Sequence, residues 1–303
     1  MNPDDLERHR VELTGYCYRM LGSGFEAEDA VQEVFSRAWT GAFDERRGSL
    51  RTWLYAIATN TCLDMRRGPQ RRAVPAGSPA APGTPLGEPL PESAWVHPMP
   101  DHKILDPADA TIARHTVRLA FVAALQHLPP RQRAVLILRD VLCWRAAEVA
   151  ELLDTSVAAV NSALQRARAV FPAPPEPAEV DRDLLDRYCA AFTAHDVPGL
   201  VALLHEDATM TMPPFTWWLR GRADLAAVLT HAEAPCKGAT LRPINANGGP
   251  ALAQYAPDGS AFAILFVQTE GGLVRSTQTH LNPLLFPLFD LPMSSGSPLR
   301  IPG

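Results

Sequence analysis

The sequence predicts a multidomain chain: two all-α domains followed by a C-terminal α+β domain. Three observations predict it. The chain has 303 residues, too many for one ordinary domain and suited to two or three. Proline-rich joins near residues 69–107 and 172–177 cut it into three blocks. Apolar periodicity is helical in the first two blocks, whereas the third opens with helices and continues in strand-like runs. With 47% hydrophobic and 20% charged residues, packed cores are expected and wholesale disorder is not.

The first block, about residues 4–67, reads as helices. Leu6, Leu13, Cys17, Met20 and Leu21 form one apolar stripe, ended by Gly22 and Gly24. A second helix is predicted over 26–39, with acids in its first turns where the helix dipole favours them. Its Ala27, Val31, Val34 and Ala38 make a buried face. Asp29, Gln32, Glu33 and Ser36 form a polar, mostly acidic strip opposite, for which a solvated surface is the plain reading. Residues 41–48 make a charged loop, and Ser49 is a natural N-cap for a third helix over 50–67. There Trp53 and Tyr55 stand beside Arg51, Asn60, Arg66 and Arg67. That mixture suits gripping phosphates and stacking on bases, although Trp53, Leu54, Ile57 and Ala58 suit a core as well. The formal net charge of -5 hides this local excess of arginine, which includes Arg46 and Arg47.

The join over 69–107 is rich in Pro, Ala and Gly and reads as a linker. One island, Trp95-Val96-His97-Pro98, interrupts it. A tryptophan there is expected to dock somewhere, because its apolar surface is wasted in water.

The second block, about residues 109–171, is again helical: 112–128, then 131–142 after Pro129-Pro130, then two helices joined by a turn. Ala150, Asp154 and Val160 have the spacing of a helix-turn-helix: a small residue where helices meet, a turn residue and an apolar anchor. Asp154 stands where glycine is usual. Thr155 or Ser156 caps the second helix. Val157, Val160, Leu164, Ala167 and Phe171 are expected inside. Ser162, Gln165, Arg166 and Arg168 are expected outside, with Asn161 near the boundary. Short polar and basic side chains on one face suit docking in a DNA major groove; the alternative is a hairpin with merely solvated arginines.

The third block, about residues 181–291, opens with an amphipathic helix (Leu184, Leu185, Tyr188, Cys189, Phe192) and a helical turn at 199–204. Strands are predicted over 208–212, 251–255, 261–268 and 273–280, with turns at Asn247-Gly248-Gly249, Pro257-Asp258-Gly259 and Gly271-Gly272. The five cysteines are scattered and form no C-x-x-C pair, so neither a metal site nor a disulfide framework is expected. No apolar run approaches the roughly 20 residues of a membrane span. A cytoplasmic protein without cofactor is expected.

The stretches YRMLGSGFEAEDAVQEVFSRAW and GSLRTWLYAIATNTCLDMRR resemble region two of the extracytoplasmic-function sigma factors. LPPRQRAVLILRDVLCWRAAEVAELLDTSVAAVNSALQRAR resembles their region four. The resemblance implies that core RNA polymerase and promoter DNA are partners. Asp29, Gln32 and Glu33 match positions that engage the clamp helices of the polymerase. The loop over 43–48 and the helix after it match the part that opens and reads the minus-ten element, which marks Arg46, Arg47, Arg51, Trp53, Asn60, Arg66 and Arg67. The helix over 156–168 matches the reader of the minus-thirty-five element, which marks Ser156, Asn161, Ser162, Gln165, Arg166 and Arg168. The organisation implied is region two over 1–68, linker over 69–110, region four over 111–171 and a third domain over 178–292.

That third block resembles the SnoaL-like members of the nuclear-transport-factor-two superfamily, a cone-shaped α+β fold. In some sigma factors such a domain regulates in cis. Trp95-Val96-His97-Pro98 and Leu281-Asn282-Pro283 are similar to short motifs of that subset. Relatives of the fold include isomerases, whose chemistry needs a carboxylate base facing an oxyanion donor in an apolar cavity. The expected pocket residues are Met210, Met212, Phe266 and Gln268, with Trp217, Trp218 and His280 nearby. The acids Glu206, Asp207, Asp224 and Asp258 are expected at turns or helix starts, so no catalytic residue is expected. The pocket either takes a small-molecule ligand or packs against the rest of the chain.

Overall fold

The computed structural model describes residues 2–65, 77–106, 114–170, 181–230 and 237–296. The chain divides into two compact units, Met1–Ala73 with Asp101–Pro175, and Val74–Pro100 with Glu176–Gly303. The first is helical; the second holds the sheet.

In the helical unit, the predicted first stripe is broken at residues 8–9 into α1 (Pro3–Glu7) and α2 (Arg10–Leu21). Gly22, at φ 74, closes α2 in the left-handed region that suits glycine, and the Ser23 side chain caps α3 (Gly24–Thr40). Ser49 Oγ accepts from Thr52 N at 3.1 Å at the head of α4 (Leu50–Met65). Then come α5 (Asp101–Ile104), α6 (Leu119–Gln126), α7 (Pro130–Leu136), a π-helical turn (Ile137–Val141), α8 (Ala146–Leu152) and α9 (Val157–Val170). Leu13, Cys17 and Met20 of α2, Val31 and Val34 of α3, and Leu54 and Ala58 of α4 are buried together. Gly15 lets α5 come close, because a Cβ there would lie 2.7 Å from the Ile104 carbonyl oxygen.

The two predicted helical domains share one interior. Arg133 of α7 is fully buried and donates to the carbonyl of Met20 in α2. It also donates to Gln126 Oε1 at 2.6 Å and to the Gln126 and Leu128 carbonyls at 3.0 Å each. Gln126 Nε2 donates in turn to the Arg19 carbonyl at 3.2 Å, and Arg19 donates to Thr116 Oγ1 at 2.9 Å. On the α4 side, the Tyr55 ring lies 5.1 Å from that of Trp144.

After its Val74–Pro100 segment the second unit continues with α10 (Arg182–Thr193) and α11 (Val197–Leu203), followed by β1 (Leu204–Thr211), β2 (Trp218–Arg220), α12 (Arg222–Thr230), β3 (Thr240–Ala246), β4 (Gly249–Tyr255), β5 (Ala261–Glu270), β6 (Leu273–His280) and α13 (Leu285–Leu288). The six strands run in the order β2-β1-β6-β5-β4-β3, parallel only between β1 and β6. Sequence reading missed β2, α12 and β3. Pro243 removes a donor from β3, which is tolerated because β3 is an edge. Glu206 and Asp207 lie within β1, not at a turn.

Alternation along β5 gives the sheet two faces. Leu265 and Val267 join Leu184, Leu200 and Leu225 in the core beneath the helices. Ile264 and Phe266 therefore face the other way, where Tyr255 meets Phe286 at 5.1 Å and donates to the Pro292 carbonyl.

Much of the expected linker is a strap fastened to this unit. Ala80 N donates to the Trp218 carbonyl at 2.8 Å and Leu90 N to the Pro214 carbonyl at 3.0 Å. Asn247, first of a two-residue hairpin turn, exchanges two hydrogen bonds with the Met99 backbone. Pro and Ala without periodicity read as free chain, yet extended chain needs only scattered backbone partners to lie along a surface.

Arg133→Ala removes a buried fork and leaves four carbonyl oxygens short of a donor. It should destabilise the helical unit by about 3 kcal/mol, read as a lower urea midpoint; an unchanged midpoint would mean that water replaces the guanidinium without loss.

Candidate functional site

The acidic strip is exposed where expected. Asp29, Gln32 and Glu33 stand outside on α3, opposite the buried Ala27, Val31, Val34 and Ala38. Glu33 pairs with Arg37 one turn on, at 2.6 Å.

The basic region divides. Arg46 and Asn60 are exposed, Arg66 and Arg67 lie outside the described residues, and Arg47 falls in a short 3-10 turn over Glu45–Arg47. Trp53 is half-buried with its ring 5.4 Å from Phe43, so it braces the loop before α4. Arg51 is turned inward. Its Nε lies 2.8 Å from Glu12 Oε2, and its guanidinium sits over the Tyr55 and Trp144 rings at 5.1 and 5.4 Å. That flat cation is engaged by one carboxylate and two aromatic faces while 43% of its side-chain surface stays open to solvent.

The helix-turn-helix is formed by α8 and α9. Asp154 adopts φ 48, a left-handed geometry that Asp tolerates better than most residues, which accounts for its place at a usual glycine position. Thr155 N donates to the Ala150 carbonyl at 2.9 Å, and Ser156 Oγ caps α9 by accepting from Ala159 N at 3.1 Å. Val160, Leu164 and Ala167 face inward; Asn161, Ser162, Gln165, Arg166 and Arg168 face out. Val157, expected inside, is 44% exposed in the first turn of α9. Phe171 lies outside the described residues. Arg168 makes a two-pronged pair with Asp140, at 2.7 and 2.9 Å, and Arg166 donates to Ser162 Oγ at 2.7 Å.

The expected pocket residues separate onto the two faces of the sheet. Met210 and Trp217 are packed into the helix-side core, with Met212 against it. Trp217 Nε1 donates to the Thr84 carbonyl of the strap at 3.0 Å. Trp218 is half-buried on β2, and Gln268 is exposed, accepting from Ser276 Oγ. His280 lies instead beside Phe266, its ring 5.8 Å away, and lines a cavity of about 180 Å³. Glu92, Trp95 and His97 of the strap form one wall; Pro213, Pro214 and Asn282 form much of the other. Trp95 is 2% exposed and donates from Nε1 to the Pro214 carbonyl at 2.9 Å. Asn282 donates to Glu92 Oε1 at 3.1 Å. The two short motifs thus meet across this cavity. Trp95 was legible as a residue of the pocket set that docks; Glu92 and His97 were not, because nothing local in a proline-rich join states which surface it will cover. Burial, with His97 nearby, pushes the His280 pKa down to about 3.

Known families account for all three blocks. Sigma-70 region 2 matches residues 6–72, Sigma-70, region 4 matches residues 118–170, and the SnoaL-like domain matches residues 185–279. The chain is 45% identical over 311 residues to the ECF RNA polymerase sigma factor SigG of Mycobacterium tuberculosis, covering 95% of this chain and 83% of SigG. It is 32% identical over 216 residues to the ECF sigma factor SigJ of that organism, covering 70% and 64% of the two chains. The crystal structure of Mycobacterium tuberculosis SigJ superposes with a TM-score of 0.60 at 25% identity, over 97% of this chain and 100% of that one.

His280 gives a pH signature. Its folded pKa is about 3 and an unfolded imidazole titrates near 6.5. Between those values the unfolded chain binds more protons, so stability falls as pH drops through the window, by up to about 1.4 kcal/mol per pH unit. His280→Gln should flatten the pH dependence of thermal unfolding between pH 6.5 and 4. Parallel curves for the two proteins would show that other groups carry the dependence.

Proposed function

Because this chain belongs to the extracytoplasmic-function sigma factors of RNA polymerase, a family that recognises promoters, we propose that three of its surfaces divide that task. The outward face of α9 reads the minus-thirty-five element, through Asn161, Ser162, Gln165, Arg166 and Arg168, with Ser156 at its start. The acidic strip of Asp29, Gln32 and Glu33 holds core polymerase. Arg46, Arg47, Arg51, Trp53, Asn60, Arg66 and Arg67 serve the minus-ten element. The observation that carries this reading is the two-sided burial of α9: a strictly apolar inner face behind a compact turn, and outside it amides, hydroxyls and guanidiniums.

Two of these arginines are engaged within the chain. An exposed ion pair such as Arg168–Asp140 is worth about 0–1 kcal/mol, so a DNA phosphate can displace the aspartate at small cost. Arg51 is held by three partners, Glu12, Tyr55 and Trp144, so its release to phosphate costs more than that of Arg168.

The SnoaL-like domain acts in cis as a regulator without catalysis of its own, and the factor works in the cytoplasm with core polymerase. Its acids support that reading. Asp207 pairs with Arg220 on the exposed side of β1, and Glu92, the acid at the cavity, is already engaged by Asn282. The rival reading, a SnoaL-type enzyme with a DNA-binding appendage, needs a free carboxylate base in the cavity.

Run-off transcription with core polymerase tests the assignment directly. Promoter-specific transcripts should appear only when the chain is added. Asp29→Ala with Glu33→Ala should weaken capture of core polymerase while leaving the circular dichroism spectrum intact; undiminished capture would remove the strip from the polymerase contact.

Arg166→Ala should cost about 1–3 kcal/mol of promoter discrimination and weaken the footprint over the upstream element only. A chain stopped after Pro175 and full-length Trp95→Ala should both differ from the parent in transcript yield. Equal yields for all three would exclude regulation by the C-terminal domain through its strap.

A further inference from the structure

The first turn of α9 differs chemically from the rest of its outward face. Val157, Ala158 and Ala159 are all exposed there, and none of their side chains can donate or accept a hydrogen bond. The Ser156 hydroxyl before them accepts from Ala159 N as the helix cap. Val157 is 44% exposed, whereas Val160, Leu164 and Ala167 on the inner row are 5% exposed or less. It is the largest of the three side chains, and it stands one turn before the exposed Asn161, on the same row of the helix. Gln165 and Arg166 project farther round the helix.

In a helix-turn-helix, the N-terminal residues of the second helix meet base edges in the major groove. Most groups on those edges are hydrogen-bond donors and acceptors, which a valine leaves without a partner. One group is apolar, the C5-methyl of thymine. We propose that Val157 reads a thymine methyl in the upstream promoter element, beside the base pair met by Asn161, and so selects an A·T pair at that step. This rests on the assignment of α9 as the reader of that element and adds a base identity to it. The occupant follows from continuity: the same helix carries the amides and guanidiniums of the DNA-reading face directly behind this turn. Covering Val157 with a methyl removes apolar surface from water on both sides, whereas cytosine at that place presents a bare ring edge.

The holoenzyme, core polymerase with the full-length chain, is bound to a promoter from which it initiates. Each thymine of the upstream element, on either strand, is replaced in turn by deoxyuridine, which deletes only the methyl. At one position the replacement should weaken binding about fourfold, the effect of losing one buried methyl. Val157→Ala should bring the thymine-to-deoxyuridine ratio at that position close to one and leave the ratios elsewhere and the upstream footprint unchanged. Binding insensitive to every thymine methyl, or a sensitivity undiminished in Val157→Ala, would overturn the assignment. So would weaker capture of core polymerase by Val157→Ala without a methyl effect, which would give the side chain to a protein contact. Absence of any upstream footprint from the parent holoenzyme removes the assignment of α9 together with this one. A normal footprint without the methyl effect removes this one alone.

Discussion

The buried guanidinium of Arg133 is the constraint on which the helical unit depends. Arginine does not shed its proton, so it must be satisfied in place. Its partners include backbone carbonyls and one amide oxygen, from Met20, Gln126 and Leu128. Such oxygens occur at fixed directions only at helix ends, which ties α7 to the C-terminal end of α2 and the last turn of α6 at once. A hydrophobic contact would tolerate sliding between these elements; a planar fork on four acceptors does not. The half that carries the acidic strip and the half that carries α9 are therefore held in one defined arrangement.

The second unit obeys a different constraint. A sheet with two apolar faces needs two covers, and only one is supplied by α10–α12. The other is assembled from the segment after β6 and from the later part of the strap, while Ala80 and Leu86 of its earlier part pack against the helix-side core. The strap's hydrogen bonds to the domain include those at Ala80, Thr84, Leu90, Glu92, Trp95 and Met99. Trp95 supplies the largest single piece of buried apolar surface among them, on the order of a few kcal/mol. A cover held this way leaves imperfect seams, and the cavity beside His280 is one.

How much of this was legible from sequence follows from which signals are local. The helix-turn-helix was, because Ala150, Asp154 and Val160 report contacts between neighbouring elements; only Val157, at an unpaired helix end, was misplaced. The acidic strip was legible from helical periodicity alone. Arg51 and Arg133 were not, since the same residue type serves a phosphate or a carbonyl and only the tertiary partner decides. Met210, Trp217 and His280 read alike as pocket residues, but the sheet assigns them to opposite faces. β3 and the strap escaped because proline silences the backbone pattern on which strand reading depends.

The strap also changes what the connection between the two DNA-reading halves can do. As free chain, residues 69–110 could extend to roughly 140 Å, and the halves would meet at a low effective concentration set by a long flexible tether. With Ala80, Leu90, Trp95 and Met99 fastened to the second unit, much of that reach is taken up along its surface. Fastening therefore shortens the tether between the halves that already share one interior.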